Sequence, residues 1–448
     1  MKNGRIILKA KLDLLSPMLI GNGKSDTSDR DVLLDAEGKA FIPATSFMGV
    51  LSRHMDTAVA QSFLGQRMDA NNQAMNQSYL ICDDLFPVEG DSNCVIRDGI
   101  RIDKASGVVE DAAKFDFQVL EPGLCFELNM EFVVINRERY DEAILILENC
   151  LAALSKPLYV GGKTSSGFGC LRSKELGLFR YDFDQAKDLA AYLLRKPHNE
   201  FLAEIKPVEA SKREFSITAD FRIPQSLIVR SYPKDAFGSD ASHIQSSNQA
   251  VLPGTSLRGA MRARGERILN VIWAGKEKEI EDFLASIFGY ASTKGKHYSI
   301  PSALRVCESR IESIGTEVQN RICIDRFTGG TIEGAKFDSM PVFPLNDTDA
   351  NIRDLSLSLA DPLPSQKALL LLIFKDLYTG DLPVGGEKSI GRGTLQGVRA
   401  SIKDENKHEY GFEHFGMPQT PAVYSEYMKA LLENSDYAEI QTRLSAYR

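Results

Sequence analysis

Several features that mark other protein classes are missing from this 448-residue sequence. No apolar run approaches the roughly 18 residues that a membrane-spanning helix needs. The opening residues, MKNGRIILKAKLDLL, carry lysine and aspartate inside their apolar stretch, so we expect no signal peptide there. The seven cysteines are scattered and form no C-x-x-C pair, which argues against a disulfide framework and a structural zinc site. We therefore expect a cytoplasmic protein with no membrane partner.

An excess of positive charge is also missing, because the net charge is −8. This excludes a chain that is basic throughout, although a local basic stripe remains compatible with it.

The two common nucleotide-binding loops are missing as well. Gly162-Lys163-Thr164 ends like a Walker A motif, but the leading glycine would fall at Pro157. Gly21-x-Gly23 starts like a dinucleotide fingerprint, but Asp26 stands where the third glycine belongs. Neither motif is complete.

What the sequence does contain is an internal repeat, in which four segments recur in the same order. The pairs are RIILKAKLDLL with EFSITADFRI, FIPATSFMGVL with VLPGTSLRGAM, GIRIDKASGVVEDAAKFDFQV with RICIDRFTGGTIEGAKFDSMPV, and VGGKTSSGFGCLRS with VGGEKSIGRGTLQG. Order and similarity together indicate a duplicated domain. We predict one domain over residues 1–208, a second over 209–401, and a helical C-terminal tail over 402–448.

Each half has the element pattern of a β-α-β…β-α-β unit. An alternating strand comes first, and I/L-P-x-T-S opens a helix, for which Thr45, Ser46, Thr255 and Ser256 are the N-cap candidates. A second strand, an apolar helix, the glycine-rich loop and a closing strand follow. This predicts an α+β fold with two tandem ferredoxin-like (RRM-like) domains that carry insertions.

The two glycine-rich loops, Val160–Ser173 and Val384–Gly397, are open to two interpretations. Glycines let the backbone approach a partner closely and expose N–H groups that can cradle an anion such as a phosphate. Alternatively, each loop is a tight helix-to-strand turn that needs positive φ. Two phosphate loops in one chain would suit a nucleic-acid backbone better than a single small ligand.

Three motifs resemble the RAMP superfamily: V-G-G-x-K-S-x-G-x-G after a helix, P-G-T-S-L-R-G opening one, and I-D-R-F-T-G-G…A-K-F-D between them. The likeness is to the backbone subunits of type III CRISPR RNA-guided effector complexes, and it covers roughly Arg5 to Arg399. The first half departs from the pattern with Ala44 for the usual glycine and KASG for RFTG. Two such domains in one chain resemble the double backbone subunit of a type III-D-like complex, which serves antiviral defence.

The resemblance implies a role in holding guide RNA. Backbone subunits of this family coat the guide with their glycine-rich loop and first helix, and a hairpin from the middle segment wedges into the guide–target duplex. Arg326 would lie at the base of that hairpin. The residues it assigns to RNA binding are Thr45, Ser46, Arg53, Gly161, Gly162, Lys163, Ser165, Thr255, Ser256, Arg258, Arg262, Arg326, Gly385, Gly386, Lys388, Ser389 and Arg392.

Some family members also cut the target RNA by attack of its own 2′-hydroxyl on the adjacent phosphorus. They use a loop aspartate with a divalent metal, here Mg²⁺ or Mn²⁺. The resemblance places this role on Asp29, with Asp26 and Asp31 as alternatives. In the second half it falls on Asp240, with Asp235 as the alternative.

Two other functions remain open. The chain could be a structural RNA-binding subunit that does not cleave, or a metal-independent guide-processing ribonuclease with His243 or His54 as general base. The expected partners are CRISPR guide RNA, single-stranded target RNA and other subunits of an effector complex.

Overall fold

The structure is a computed structural model of the chain. For residues 409–413 and 422–423 it describes the backbone alone. The described residues are 1–21, 29–55, 63–65, 77–100, 114–207, 213–231, 239–290, 298–345, 350–404, 409–413 and 422–447.

The chain divides into two compact units, each with its own hydrophobic core. The predicted domain boundary near Val208 falls on residues 208–212, which lie outside the described residues, and it stays a prediction. The first unit comprises Met1–Gly99, Phe115–Thr164 and Phe168–Ser211, and the second comprises Ile100–Lys114, Ser165–Gly167 and Lys212–Arg448.

An antiparallel sheet carries the first unit. Its elements are β1 (Gly4–Leu14), α1 (Ala44–Leu51), β2 (Leu80–Cys82), β3 (Pro87–Glu89), β4 (Cys94–Gly99), β5 (Phe115–Leu120), β6 (Cys125–Val134), α2 (Arg137–Leu154), β7 (Leu158–Tyr159), β8 (Cys170–Asp182) and α3 (Ala186–Leu193). The strand order is β2-β6-β1-β8-β7. Buried side chains alternate with more accessible ones along β1, as the sequence pattern predicts, and its buried face lies in the core.

The second unit follows the same plan with more strands. Its elements are β9 (Glu214–Arg222), β10 (Arg230–Ser231), β11 (Ala241–His243), β12 (Gln245–Ser246), β13 (Gln249–Leu252), α4 (Gly254–Ile272), α5 (Glu277–Phe288), β14 (Leu304–Val306), β15 (Ser309–Arg310), β16 (Ile314–Thr316), β17 (Gln319–Ile324), β18 (Thr331–Met340), β19 (Val342–Pro344), β20 (Ile352–Ala360), α6 (Pro364–Tyr378), β21 (Gln396–Lys403), β22 (Glu409–Glu413), α7 (Ala422–Glu433) and α8 (Tyr437–Ser445). Its sheet has the order β14-β20-β9-β21-β22, so the opening strand again lies between the closing strand and the strand after the middle segment. The predicted α+β class is confirmed.

A four-stranded sheet outside this core has the order β10-β11-β18-β17. β17 and β18 form an antiparallel hairpin, and β11 pairs with β18 in parallel. The hairpin belongs to the middle segment of the repeat. Its pairing with β11 connects it to the segment that follows the opening strand.

The two C-terminal helices contribute side chains to the second core. Trp273 donates its indole N–H to the carbonyl of Leu431 at 3.0 Å, and Ile440 and Leu444 are buried in the same cluster. Within the described residues, no helix is both long and apolar enough to cross a membrane.

Candidate functional site

The two glycine-rich loops have the same backbone conformation. Each contains a short 3₁₀ turn, Thr164–Ser166 in the first loop and Lys388–Ile390 in the second. Four equivalent positions have positive φ: Gly161 (95°), Lys163 (56°), Gly167 (84°) and Gly169 (71°), matched by Gly385 (89°), Glu387 (58°), Gly391 (86°) and Gly393 (84°). Since glycine adopts this region without strain, the tight-turn interpretation accounts for the glycines.

Each loop is also tied to the segment that follows the opening strand. In the second loop the amide of Gly386 donates to the carbonyl of Ile228 at 2.8 Å, and Gly393 donates to Ser226 at 2.9 Å. The first loop makes the same two bonds, from Gly162 to Leu19 at 2.6 Å and from Gly169 to Pro17 at 2.7 Å. These contacts fix the loops, and binding of phosphate by them stays a prediction.

The loops differ in the charge at one equivalent position. In the first loop the Lys163 ammonium lies 3.7 Å from the ring centroid of Phe117 and 4.7 Å from that of Phe115. Burial, with a smaller contribution from Arg30, lowers the pKa of Lys163 to about 8. The second loop has Glu387 at this position.

Glu387 is the centre of an arginine cluster. Its carboxylate lies 2.8 Å from Arg321 and 3.1 Å from both Arg230 and Arg392. Arg392 is 4% exposed and also donates to the side chain of Gln319, so its guanidinium is engaged inside the protein. A direct contact between Arg392 and RNA stays a prediction, whereas Lys388 and Ser389 beside it are exposed.

The two loop aspartates make equivalent contacts. Asp29 accepts a hydrogen bond from the backbone amide of Asp116 at 3.3 Å, and Asp240 accepts one from Asp338 at 2.8 Å. Both donors belong to the repeated A-K-F-D segment, and both aspartates are exposed. The structure therefore brings Asp29 and Asp240 to matching positions in the two repeats.

The other acidic candidates are placed differently. Asp31 is partly buried and lies next to Val32, whose amide donates to the side chain of Gln118 at 3.0 Å. Asp26 and Asp235 lie outside the described residues. The choice among the acidic residues stays a prediction.

The predicted N-caps are wrong. α1 and α4 have Pro43 and Pro253 at their N-caps, so the Thr-Ser pairs lie inside the first turn. The reason is that the carbonyls of the two prolines accept the first backbone hydrogen bonds, from Ser46 at 2.9 Å and Ser256 at 3.1 Å. At the two helix starts Thr45 is exposed, and Ser46, Thr255 and Ser256 are half-buried.

Arg258 and Arg262 have a structural role that the sequence did not indicate. Arg258 donates to the carbonyl of Phe288, and Arg262 donates to that of Gly289 at 3.1 Å, so both side chains cap the end of α5. Burial lowers the pKa of Arg258 to about 10. Their predicted counterpart Arg53 is exposed in the turn after α1.

The hairpin of β17 and β18 differs from expectation in one respect. Arg326 lies in the connecting turn at the tip, not at the base, because β17 ends at Ile324 and β18 begins at Thr331. Asp325 shapes this turn by accepting from the amides of Phe327 at 2.7 Å and Thr328 at 3.0 Å. Phe327 is 99% exposed at the tip, a feature that sequence reasoning missed although the IDRFTGG motif contains it.

His243 is unsuited to act as a general base. It is 4% exposed, its Nδ1 accepts from the amide of Val229 at 3.2 Å, and its Nε2 lies 2.9 Å from the carbonyl of Val251. Burial lowers its pKa to about 4. His54, the other candidate, is exposed in the turn after α1.

The buried histidine leads to a pH prediction. A folded-state pKa of about 4 against an ordinary 6.5 means that the unfolded chain binds the proton more readily. The stability contributed by neutral His243 is present above pH ~6.5 and is lost as the pH falls toward the folded value, by about 2 to 3 kcal/mol at pH ~4.5. Denaturation followed by the fluorescence of the single tryptophan, Trp273, should show this loss.

The control compares pH slopes between variants. Compared with the wild-type protein, His243→Gln should lower stability at pH 7 and make its fall toward pH 4.5 shallower by the same amount. An unaltered slope in His243→Gln would contradict the buried neutral state.

The side chains around the two loop aspartates do not by themselves form a complete set of metal ligands. Within the described ranges, no group of three or more histidine, cysteine or carboxylate side chains could hold a metal. The backbone amide of Asp338 donates to Asp240, and one oxygen of the Asp338 carboxylate is buried without a hydrogen-bond partner among the described residues. Because Mg²⁺ is often held by one or two carboxylates together with substrate phosphates, Asp240 and Asp338 are the candidate ligands in the second unit, and metal binding stays a prediction.

The repeated sequence has a counterpart among known families. A model of the RAMP superfamily matches residues 11–172 and, separately, residues 237–396. The chain belongs to the RAMP superfamily. The two matches confirm the tandem RAMP arrangement that the sequence predicted, and membership indicates a CRISPR-associated RNA-binding function. A comparison with curated proteins gave no match.

Proposed function

We propose that this tandem RAMP protein is a guide-RNA-binding backbone subunit of a type III CRISPR effector complex, of the double, type III-D-like kind, and that it also cleaves target RNA. The observation that carries the proposal is the twofold RAMP match together with the equivalent contacts of Asp29 and Asp240. Each half supplies one glycine-rich loop and one loop aspartate, as successive modules along an RNA would require.

A ferredoxin-like fold for both domains is part of the proposal. The strand orders β8-β1-β6-β2 and β21-β9-β20-β14 support it, since each is the order 4-1-3-2 when strands are counted along a β-α-β-β-α-β unit. The neighbours in both runs pair antiparallel.

The proposed guide contacts are the accessible parts of the loops and of the first helices. Lys388 and Ser389 are exposed on the second loop, and Thr45 is exposed at the start of α1. Hydroxyl and ammonium groups of this kind bind phosphates without reading the base sequence. These contacts fit a subunit whose sequence specificity comes from the guide.

The hairpin is the proposed wedge against the guide–target duplex. Phe327 at its tip is almost fully exposed, and Ile322 and Ile324 on β17 are 55% and 57% exposed. Exposed apolar groups are costly in water and favour contact with base faces. A base displaced by this wedge would leave the phosphodiester distorted, which the cleavage geometry needs.

Cleavage would use Asp29 in the first module and Asp240 in the second. The 2′-hydroxyl of the target gives up its proton to water and attacks the neighbouring phosphorus. A P–O bond to the 2′-oxygen forms, the bond to the 5′-oxygen breaks, and the leaving 5′-oxygen takes up a proton from water. Each aspartate would orient the reacting groups, with its carboxylate held by the backbone amide of the A-K-F-D segment. A bound Mg²⁺ or Mn²⁺ would stabilise charge on the phosphoryl oxygens.

A non-catalytic structural subunit is the second candidate. In such a subunit, the bonds that Asp29 and Asp240 accept would serve only to fix their loops. Guide processing with His243 as the base is disfavoured because both of its ring nitrogens are engaged inside the protein.

The partners that follow from the proposal are guide RNA, single-stranded target RNA and neighbouring subunits of the effector complex, in the cytoplasm. The proposal is tested by isolating the protein from the cells that produce it and sequencing the RNA bound to it. RNA derived from CRISPR repeats is the expected result.

A further inference from the structure

Three arginines converge on one carboxylate in the second unit. Arg230 comes from β10, Arg321 from β17 of the hairpin, and Arg392 from the glycine-rich loop. All three guanidinium groups lie within 3.1 Å of Glu387, whose side chain is 6% exposed. The cluster therefore ties the segment leading toward Asp240, the hairpin and the loop to a single buried group.

The charges of the cluster do not balance. Among the described residues, Glu387 is the carboxylate with which each of these arginines pairs, so three positive charges face one negative charge. Like charges held this close repel one another, the more so where the protein excludes water. An anion that binds beside the cluster would relieve the repulsion.

The accessible members of the cluster can reach such an anion. Arg392 is 5% exposed at its side chain, whereas Arg321 is 24% and Arg230 is 43% exposed. Arg230 contacts Glu387 through one terminal nitrogen at 3.1 Å, which leaves guanidinium N–H groups for a phosphate. Lys388 is exposed on the same loop.

We propose that Arg230 and Arg321 form a binding site for one phosphodiester of RNA and that Glu387 is the residue that positions them. Glu387 adopts a left-handed backbone conformation with φ of 58°, which is uncommon for a side chain of this size, and its carboxylate makes three ion pairs. The site rests on the proposed RNA-binding function and adds to it Arg230 and Arg321, which the family resemblance does not assign to RNA binding.

The site is specific to the second unit. The first loop has Lys163 at the position of Glu387, and its ammonium lies over aromatic rings. A lysine carries the same charge as arginine and cannot form ion pairs with it, so the first unit holds RNA with a different set of groups. The two modules of one chain thereby contact successive parts of a guide through different chemistry.

The test is RNA binding by the full chain across a range of salt concentrations. The probe is a fluorescein-labelled single-stranded guide RNA, and the variants are Arg230→Gln and Arg230→Lys. Arg230→Gln should weaken binding about tenfold and make the slope of log affinity against log salt shallower by roughly 0.7 to 0.9. Arg230→Lys should keep the wild-type slope because it keeps the charge.

Arg399→Gln is the matched control, because Arg399 also pairs with a buried carboxylate, Asp220, and is 62% exposed. It should leave both affinity and slope unchanged, and melting temperatures should show that all variants are folded. Wild-type affinity and slope in Arg230→Gln would overturn the site while leaving the proposed function intact. Failure of the wild-type chain to bind guide RNA would overturn both.

Discussion

Replacing Asp29 by asparagine should abolish one cut in the target RNA, and replacing Asp240 should abolish another. The equivalent hydrogen bonds from Asp116 and Asp338 hold the two carboxylates in the same way, so each module should cut independently. Loss of a charged group that orients the reacting atoms should lower the rate of its own cut roughly 100-fold or more. Guide and target binding should persist, since phosphate contacts elsewhere carry the affinity.

The measurement is electrophoresis of end-labelled target RNA after incubation with the assembled, guide-loaded complex and Mg²⁺ or Mn²⁺. Glu37→Gln is a suitable control, because Glu37 is a 74% exposed acidic side chain in the same segment as Asp29. The double variant should leave the target intact. Two cuts that survive in the double variant would exclude both aspartates, and a wild-type complex that binds but never cuts would favour the structural subunit.

A second large effect is expected from Gly393→Ala in the second glycine-rich loop. A Cβ at this position would lie 2.0 Å from the carbonyl oxygen of Val384, and φ is 84°. The overlap would break the bond from the amide of Val384 to the carbonyl of Gly393, now 2.9 Å. We expect a loss of about 3 kcal/mol or more, well above the usual effect of a single substitution.

Gly334→Ala separates the effect of the left-handed backbone from the effect of the steric overlap with Val384. Gly334 also has positive φ, 73°, but a Cβ there would meet no atom within 4 Å. It should therefore cost only about 1 to 2 kcal/mol for the left-handed backbone. Urea denaturation followed by Trp273 fluorescence measures both, since Trp273 lies in the second core. Equal losses in the two variants would mean that the close approach to Val384 has no role.

Much of the architecture could be read from the sequence because it depends on local patterns. The alternation in RIILKAKLDLL predicts β1, and the apolar period of YDEAILILENCLAAL predicts α2, whose start is capped when Asn136 accepts from the amide of Arg139 at 2.8 Å. The repeat then predicts those elements of the second half that have a counterpart in the first, but not its additional strands or the helix Glu277–Phe288. The family match likewise covers both halves, over residues 11–172 and 237–396.

The candidate site could be read only where the repeat preserved a motif. The loop aspartates and the A-K-F-D segment are visible in the sequence, and their pairing became clear once the structure joined Asp240 to Asp338. The partners of Glu387 come from distant segments, Arg230 and Arg321, with no pattern to link them.

Burial of a side chain was the other property that could not be predicted from the spacing of residues in the sequence. Arg258 and Arg262 stand four residues apart on one helix face, which is equally typical of an RNA contact and of a helix cap. Their donation to the carbonyls at the end of α5 depends on how α4 and α5 pack. For the same reason, the sequence left open whether His243 is an accessible base, and the structure places it in the interior.

The most direct test of the central claim is the RNA that the protein carries in its own cells. After ultraviolet crosslinking and isolation under denaturing conditions, the attached RNA is sequenced and the crosslinked peptides are identified. We predict RNA derived from CRISPR repeats and spacers, with crosslinks to the turn that contains Phe327. Cellular RNA without repeat sequence, or no crosslinked RNA at all, would contradict a guide-binding backbone subunit.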